Sequence, residues 1–129
     1  MKTSELRIGN YISLKSREAI VAEIYHTGIL AWDLEETQDT VEGIERLEGI
    51  TITEEWLLNL GFTKVVIQED EYYFANSSYE LTLYWTPYKT RMIPEYNGRR
   101  FIPGYHLTYV HQLQNLHFAL TGEELKIKK

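Results

Sequence analysis

The chain has 129 residues, enough for one domain with a real core. Hydrophobic residues make up 43% and charged residues 25%, which excludes a disordered chain. The net charge of −6 argues against non-specific adhesion to nucleic acid or anionic membrane, and the absence of cysteine excludes a disulfide framework, a thiolate nucleophile and Cys-based metal sites.

Met1-Lys2-Thr3-Ser4-Glu5 leads into mixed sequence without an apolar core, so no signal peptide is expected. The longest apolar runs, such as Ile29 to Trp32, are too short to span a bilayer. The expectation is a cytoplasmic protein.

Residues 1–52 read as an N-terminal β-meander subdomain. Gly9-Asn10 marks a turn, and Tyr11 to Leu14 a short strand. Lys15-Ser16-Arg17 turns the chain into Ala19 to Tyr25, with Ile20, Ala22 and Ile24 on one face. His26-Thr27-Gly28 is hairpin-like, and Ile29 to Leu34 returns as a third strand. Such a meander curls, and a small SH3-like barrel is its closed form. From Asp33 to Glu55 come nine acidic residues against one basic, Arg46. The plain reading is a solvated surface loop; the functional one is an acidic patch that meets a basic partner or mimics a phosphate backbone.

Residues 53–129 read as a short helix, an antiparallel sheet and a C-terminal helix packed on it, so the fold class is α+β. Thr53 caps the short helix, with Glu54 and Glu55 in its first turn. Leu60 ends it, Gly61 takes the left-handed position, and Phe62 folds back on Leu57. Trp56, Leu57 and Leu60 share its core face. Strands are expected at Lys64 to Gln68, Glu71 to Ala75, Tyr79 to Thr86 and Lys89 to Tyr96. Glu69-Asp70 and Asn76-Ser77-Ser78 read as turns. Asn97-Gly98 is a type I′ hairpin that pairs Tyr96 with Arg99 and Glu95 with Arg100. The last helix runs from about Tyr109 to Leu120, with Thr108 as N-cap and Gly122 as stop. Tyr109, Leu113, Leu116 and Leu120 form its core stripe. The alternating tail Leu125 to Lys129 suggests a short edge strand.

No catalytic motif is present: there is no G-x-S-x-G, P-loop, G-x-G-x-x-G or H-E-x-x-H pattern. His111 and His117 lie six apart on a helix and cannot chelate as a pair. No enzyme activity, metal or cofactor is expected.

Two patterns point to binding. Aromatic and basic residues interleave across Tyr84, Tyr88, Arg91, Tyr96, Arg99 and Arg100, the combination that stacks bases and neutralises phosphates. The other is Phe118, which lies nearly opposite the core stripe with His111, Gln114 and Asn115 on its side. An aromatic among amides and an imidazole on a polar face suits an anchor for a protein partner or a second copy.

Three segments resemble a family of small uncharacterised proteins found in Bacteroides-type bacteria and their phages. They are Leu6-Arg7-Ile8-Gly9-Asn10-Tyr11; Thr53-Glu54-Glu55-Trp56-Leu57-Leu58-Asn59-Leu60-Gly61-Phe62; and Val110-His111-Gln112-Leu113-Gln114-Asn115-Leu116 with Phe118-Ala119-Leu120-Thr121-Gly122-Glu123-Glu124-Leu125. Thr51-Ile52-Thr53 replaces a proline-containing lead-in, and His117 stands where a larger aromatic is expected. The resemblance implies a phage or mobile-element setting and a cytoplasmic protein, and carries over no catalytic residue. The expected function is non-catalytic: docking a protein partner or self-association through the C-terminal helix face. The alternative is a nucleic-acid-binding module on the aromatic and basic sheet surface.

Overall fold

The computed structural model describes residues 5–14, 17–25, 28–34, 39–43, 47–77, 80–86, 89–101 and 105–127. They form two antiparallel sheets and two helices, an α+β architecture. The chain divides into two compact units, one of Met1–Thr51 with Tyr109–Glu124, the other of Ile52–Thr108 with Leu125–Lys129.

In the first unit, strands β1 (Tyr11–Leu14), β2 (Arg17–Tyr25), β3 (Gly28–Asp33) and β4 (Asp39–Gly43) run as a meander. Strand β5 (Leu47–Gly49) then returns to pair with β1, giving the order β4-β3-β2-β1-β5. Among the described residues β4 and β5 are the two edges, so the sheet is open and not a closed barrel. Both strands fall in the acidic stretch Asp33 to Glu55, whose polar part around Glu35 to Thr40 was expected to be a surface loop. Pairing decides the matter there: β4 lies in register with β3 from Trp32 opposite Asp39 to Gly28 opposite Gly43, and charge is at home on edge strands. The turn residues Lys15-Ser16 and His26-Thr27 lie outside the described residues.

Alternation along these strands sets an inner and an outer face. Ile12, Ala19, Val21, Ile29, Ala31 and Leu47 point inward and, with Leu6, form a buried cluster. A bulge between Val21 and Glu23 shifts the β2–β3 register by one residue.

In the second unit, Thr53 caps α1 (Glu54–Asn59), its Oγ1 accepting the Trp56 N–H at 3.2 Å. The helix stops as expected: Gly61 takes a φ of 94°, and the Phe62 N–H donates to the Leu57 carbonyl at 3.0 Å. Strands β6 (Thr63–Gln68), β7 (Glu71–Ala75), β8 (Leu81–Trp85), β9 (Met92–Tyr96) and β10 (Arg99–Arg100) form a sheet in sequential order. The Asn97-Gly98 turn pairs Tyr96 with Arg99 and Glu95 with Arg100, the predicted register. Phe74, Leu81, Leu83 and Met92 share one face and are fully buried, each side chain adding about 1.5–3 kcal/mol to the core.

The final helix, α2 (Val110–Thr121), groups with the first unit and not with the 53–129 segment in which the sequence placed it. The reason is its polar side chains, which bond to residues 5–11, as described below. Tyr109, not Thr108, is its N-cap; the Tyr109 N–H donates to Gln112 Oε1 at 3.0 Å. Gly122 ends it with a φ of 76°. Residues 124–127 form no strand, against the edge strand expected of the tail. Among the described residues, no helix is long and apolar enough to cross a membrane.

Candidate functional site

The α2 flank was the expected docking face, and the structure buries two of its four residues. His111 is 1% exposed and Gln114 0%. Gln114 bridges the backbone of the segment before β1: its Oε1 accepts the Tyr11 N–H at 2.7 Å, and its Nε2 donates to the Gly9 carbonyl at 2.9 Å. Asn115 Oδ1 accepts from Asn10 Nδ2 at 2.9 Å and from an Arg7 guanidinium nitrogen at 3.2 Å, while its Nδ2 donates to the Glu5 carbonyl at 2.9 Å. Arg7 also pairs with Glu124. Phe118 is 39% exposed, but the Arg7 guanidinium lies 3.9 Å from its ring centroid. The amides therefore serve as an interior clasp. Backbone groups of a non-repetitive segment need partners when buried, and these side chains supply them.

His111 has a different role in the same flank. Its ring stacks on Tyr109, with centroids 5.8 Å apart and planes 9° from parallel. Neither ring nitrogen has a hydrogen-bond partner among the described residues. Burial pushes its pKa down, with the charge of Glu5 acting weakly in the opposite direction, so the neutral form is favoured.

The aromatic and basic set does not form one surface. Tyr84 pairs with Ile93 on one face of the second sheet, where its ring lies 5.2 Å from that of Tyr73. Tyr96 pairs with Leu81 on the opposite face, and Arg99 pairs with Tyr96. Arg100 donates to Glu95 at 3.0 Å and is part of an ion pair. Arg91 is exposed between β8 and β9, and Tyr88 lies outside the described residues. The two-residue period of a strand separates what proximity in sequence suggested was together.

The residues that sequence reasoning missed lie on the outer face of the first sheet. Trp32 is 47% exposed and sits directly opposite Ile20. Beyond the bulge, Glu23 pairs with Leu30 and Tyr25 with Gly28, which places Leu30, Glu23 and Tyr25 on the same outer side. Tyr25 is 48% exposed, and its hydroxyl donates to the Glu23 carboxylate at 2.8 Å; this bond, first, raises its pKa. Toward the other edge, Glu18 and Glu48 flank Ser13 on the same side. The inner positions explain why the indole turns outward. Ala31, next to it in β3, takes a buried inner position opposite Val21, so strand alternation puts Trp32 on the outer side. The alternation of Ile29, Ala31 against Leu30, Trp32 was the available signal.

Among the described residues no group of three His, Asp or Glu side chains is placed to hold a metal ion. No protein-family model, curated protein or solved structure matches this chain.

Proposed function

We propose that this chain is a non-catalytic binding protein that docks another protein or a second copy of itself through the outer face of the first sheet. The observation that carries the reading is Trp32, a large aromatic left half in water near the end of β3, a strand paired on both sides, with Ile20, Leu30 and Tyr25 on the same side. Trp and Tyr supply large contact area at low entropy cost and anchor many interfaces. The proposal includes the cytoplasmic, phage or mobile-element setting that the resemblance implies.

The test is affinity capture of tagged protein from its native cell, with and without nuclease, beside sedimentation velocity over a range of concentrations. Wild type and Trp32→Asp are compared in both. The reading expects a nuclease-resistant partner, or a concentration-dependent assembly, that Trp32→Asp abolishes. It fails if the variant, still folded, keeps the same partners and the same assembly state.

A further inference from the structure

We propose that Asn97 is a covalent modification site: its side-chain amide is lost by attack of the next backbone nitrogen, and the isoaspartate that forms releases strand β10 from the second sheet. The turn that joins β9 to β10 supplies the reactants. Asn97 takes a φ of 53° and Gly98 one of 79°, and both residues are exposed. Among the described residues neither the Asn97 side chain nor the Gly98 N–H makes a hydrogen bond; only the Asn97 N–H is held, donating to the Glu80 carbonyl at 2.8 Å. A Cβ on Gly98 would meet no heavy atom within 4 Å, so the turn is open to water. The other asparagines differ. Asn10 is fully buried and Asn76 nearly so, Asn115 bonds to Glu5 and Asn10, and Asn59 lies in α1 before a leucine. Asn97 is the one asparagine followed by glycine, whose missing Cβ leaves its nitrogen unhindered.

The chemistry needs only water and base. Base takes the Gly98 amide proton, the nitrogen bonds to Asn97 Cγ, the Cγ–Nδ2 bond breaks, and ammonia leaves. Water then opens the cyclic imide. Opening at Cγ gives aspartate; opening at the main-chain carbonyl gives isoaspartate, in which the chain runs through Cβ and Cγ. Nothing is oxidised or reduced. A closed type I′ turn sets the Gly98 nitrogen on the far side of the Cα–C bond from the Asn97 side chain, so attack waits for the turn to open. Strand β10 resists opening weakly: it has two residues, both exposed, at the edge of its sheet, and Arg100 pairs with Glu95 in water at 3.0 Å. Isoaspartate inserts a carbon into the main chain, so Tyr96 opposite Arg99 and Glu95 opposite Arg100 are no longer in register. The released β10 cannot re-pair, and β9 becomes the edge.

The experiment is incubation of the folded full chain at mildly acidic and mildly alkaline pH, then peptide mapping with electron-transfer fragmentation, which separates isoaspartate from aspartate. Wild type, Arg99→Pro and a synthetic peptide of residues 92–100 are compared. Proline at position 99 removes the backbone N–H that closes the turn opposite Tyr96. Circular dichroism verifies that the variant is folded. Expected are isoaspartate at position 97 and none at Asn10, Asn76 or Asn115, with faster formation at the alkaline pH. Wild type should convert more slowly than the peptide, and Arg99→Pro at the peptide's rate. Hydrogen exchange on the separated product should show protection lost at Arg99 and Arg100 and kept across Leu81–Trp85. The proposal is overturned if position 97 stays intact in wild type while the peptide converts fully, or if Arg99→Pro converts no faster than wild type. It is equally overturned if Asn10, Asn76 or Asn115 converts as fast as Asn97, or if the product keeps its protection at Arg99 and Arg100.

Discussion

The α2 flank and the outer face of the β1–β5 sheet look alike in composition and are opposites in use. Each combines polar groups with an aromatic. Gln114 and Asn115 both bond through their amides to residues 5–11, and Gln114 is fully buried. Beside Trp32, Tyr25 is exposed and makes a local bond, from its hydroxyl to the Glu23 carboxylate. Polar residues near an aromatic are thus no sign of a binding surface. What separates the two regions is whether the backbone beside them needs partners. The segment before β1 is irregular and partly buried, so its backbone recruits side chains; β2 and β3 pair their backbones with each other.

Substitutions can sharpen this contrast. The largest effect should come from Gln114→Leu, which removes the partners of the Tyr11 N–H and the Gly9 carbonyl at once. A loss on the order of 3 kcal/mol in urea unfolding is expected. A loss under about 1 kcal/mol would mean that water replaces the amide and that the flank is no clasp. Next is Gly49→Ala. A Cβ there would come within 2.5 Å of the Tyr109 ring, and the clash should cost about 1–3 kcal/mol. Pairing it with Tyr109→Ala should recover much of that loss; a strictly additive double variant would show that the ring is not the obstacle.

Proton linkage tests the third feature of the flank. The folded-state pKa of His111 lies below the ordinary 6.5, so the unfolded chain binds the proton more tightly. The stabilisation is complete above pH 6.5 and declines as pH falls below it, by at most about 1.4 kcal/mol per pH unit. Urea midpoints at pH 7.5 and 5.5 should therefore diverge in the wild type and draw together in His111→Leu; equal slopes in both proteins would assign the pH dependence elsewhere. The smallest effect belongs to Trp32→Thr. Threonine keeps the strand preference, so stability should change by less than about 1 kcal/mol. A larger loss would place the indole in the core and remove it from the surface.

Much of the architecture was legible. Thr53, Gly61 and Phe62 gave both ends of α1, and Asn97-Gly98 set the β9–β10 register, because caps and two-residue turns are determined within a few neighbours. The allegiance of α2 was not legible. It depends on bonds from Gln114 and Asn115 to residues more than 100 positions earlier, which no local pattern encodes. The same holds for β4 and β5, whose acidic sequence concealed strands that pairing alone defines. Tyr84, Tyr96 and Arg100 were grouped by proximity in sequence; only the cross-strand register shows that they part. The exposure of Trp32 follows from strand alternation, in which Leu30 and Trp32 lie opposite in phase to the buried Ile29 and Ala31.

The division of the chain has a consequence for its birth on the ribosome. Thr51 and Tyr109 are bridge partners in the first unit, and nearly all of the second is spelled out between them. Strands β1 to β5 emerge early yet stay incomplete until α2 is translated, while β6 to β10 can zip up from neighbours as they appear. The first unit is therefore complete only once α2 is translated, because the Tyr11 amide and the Gly9 carbonyl take their partner from Gln114.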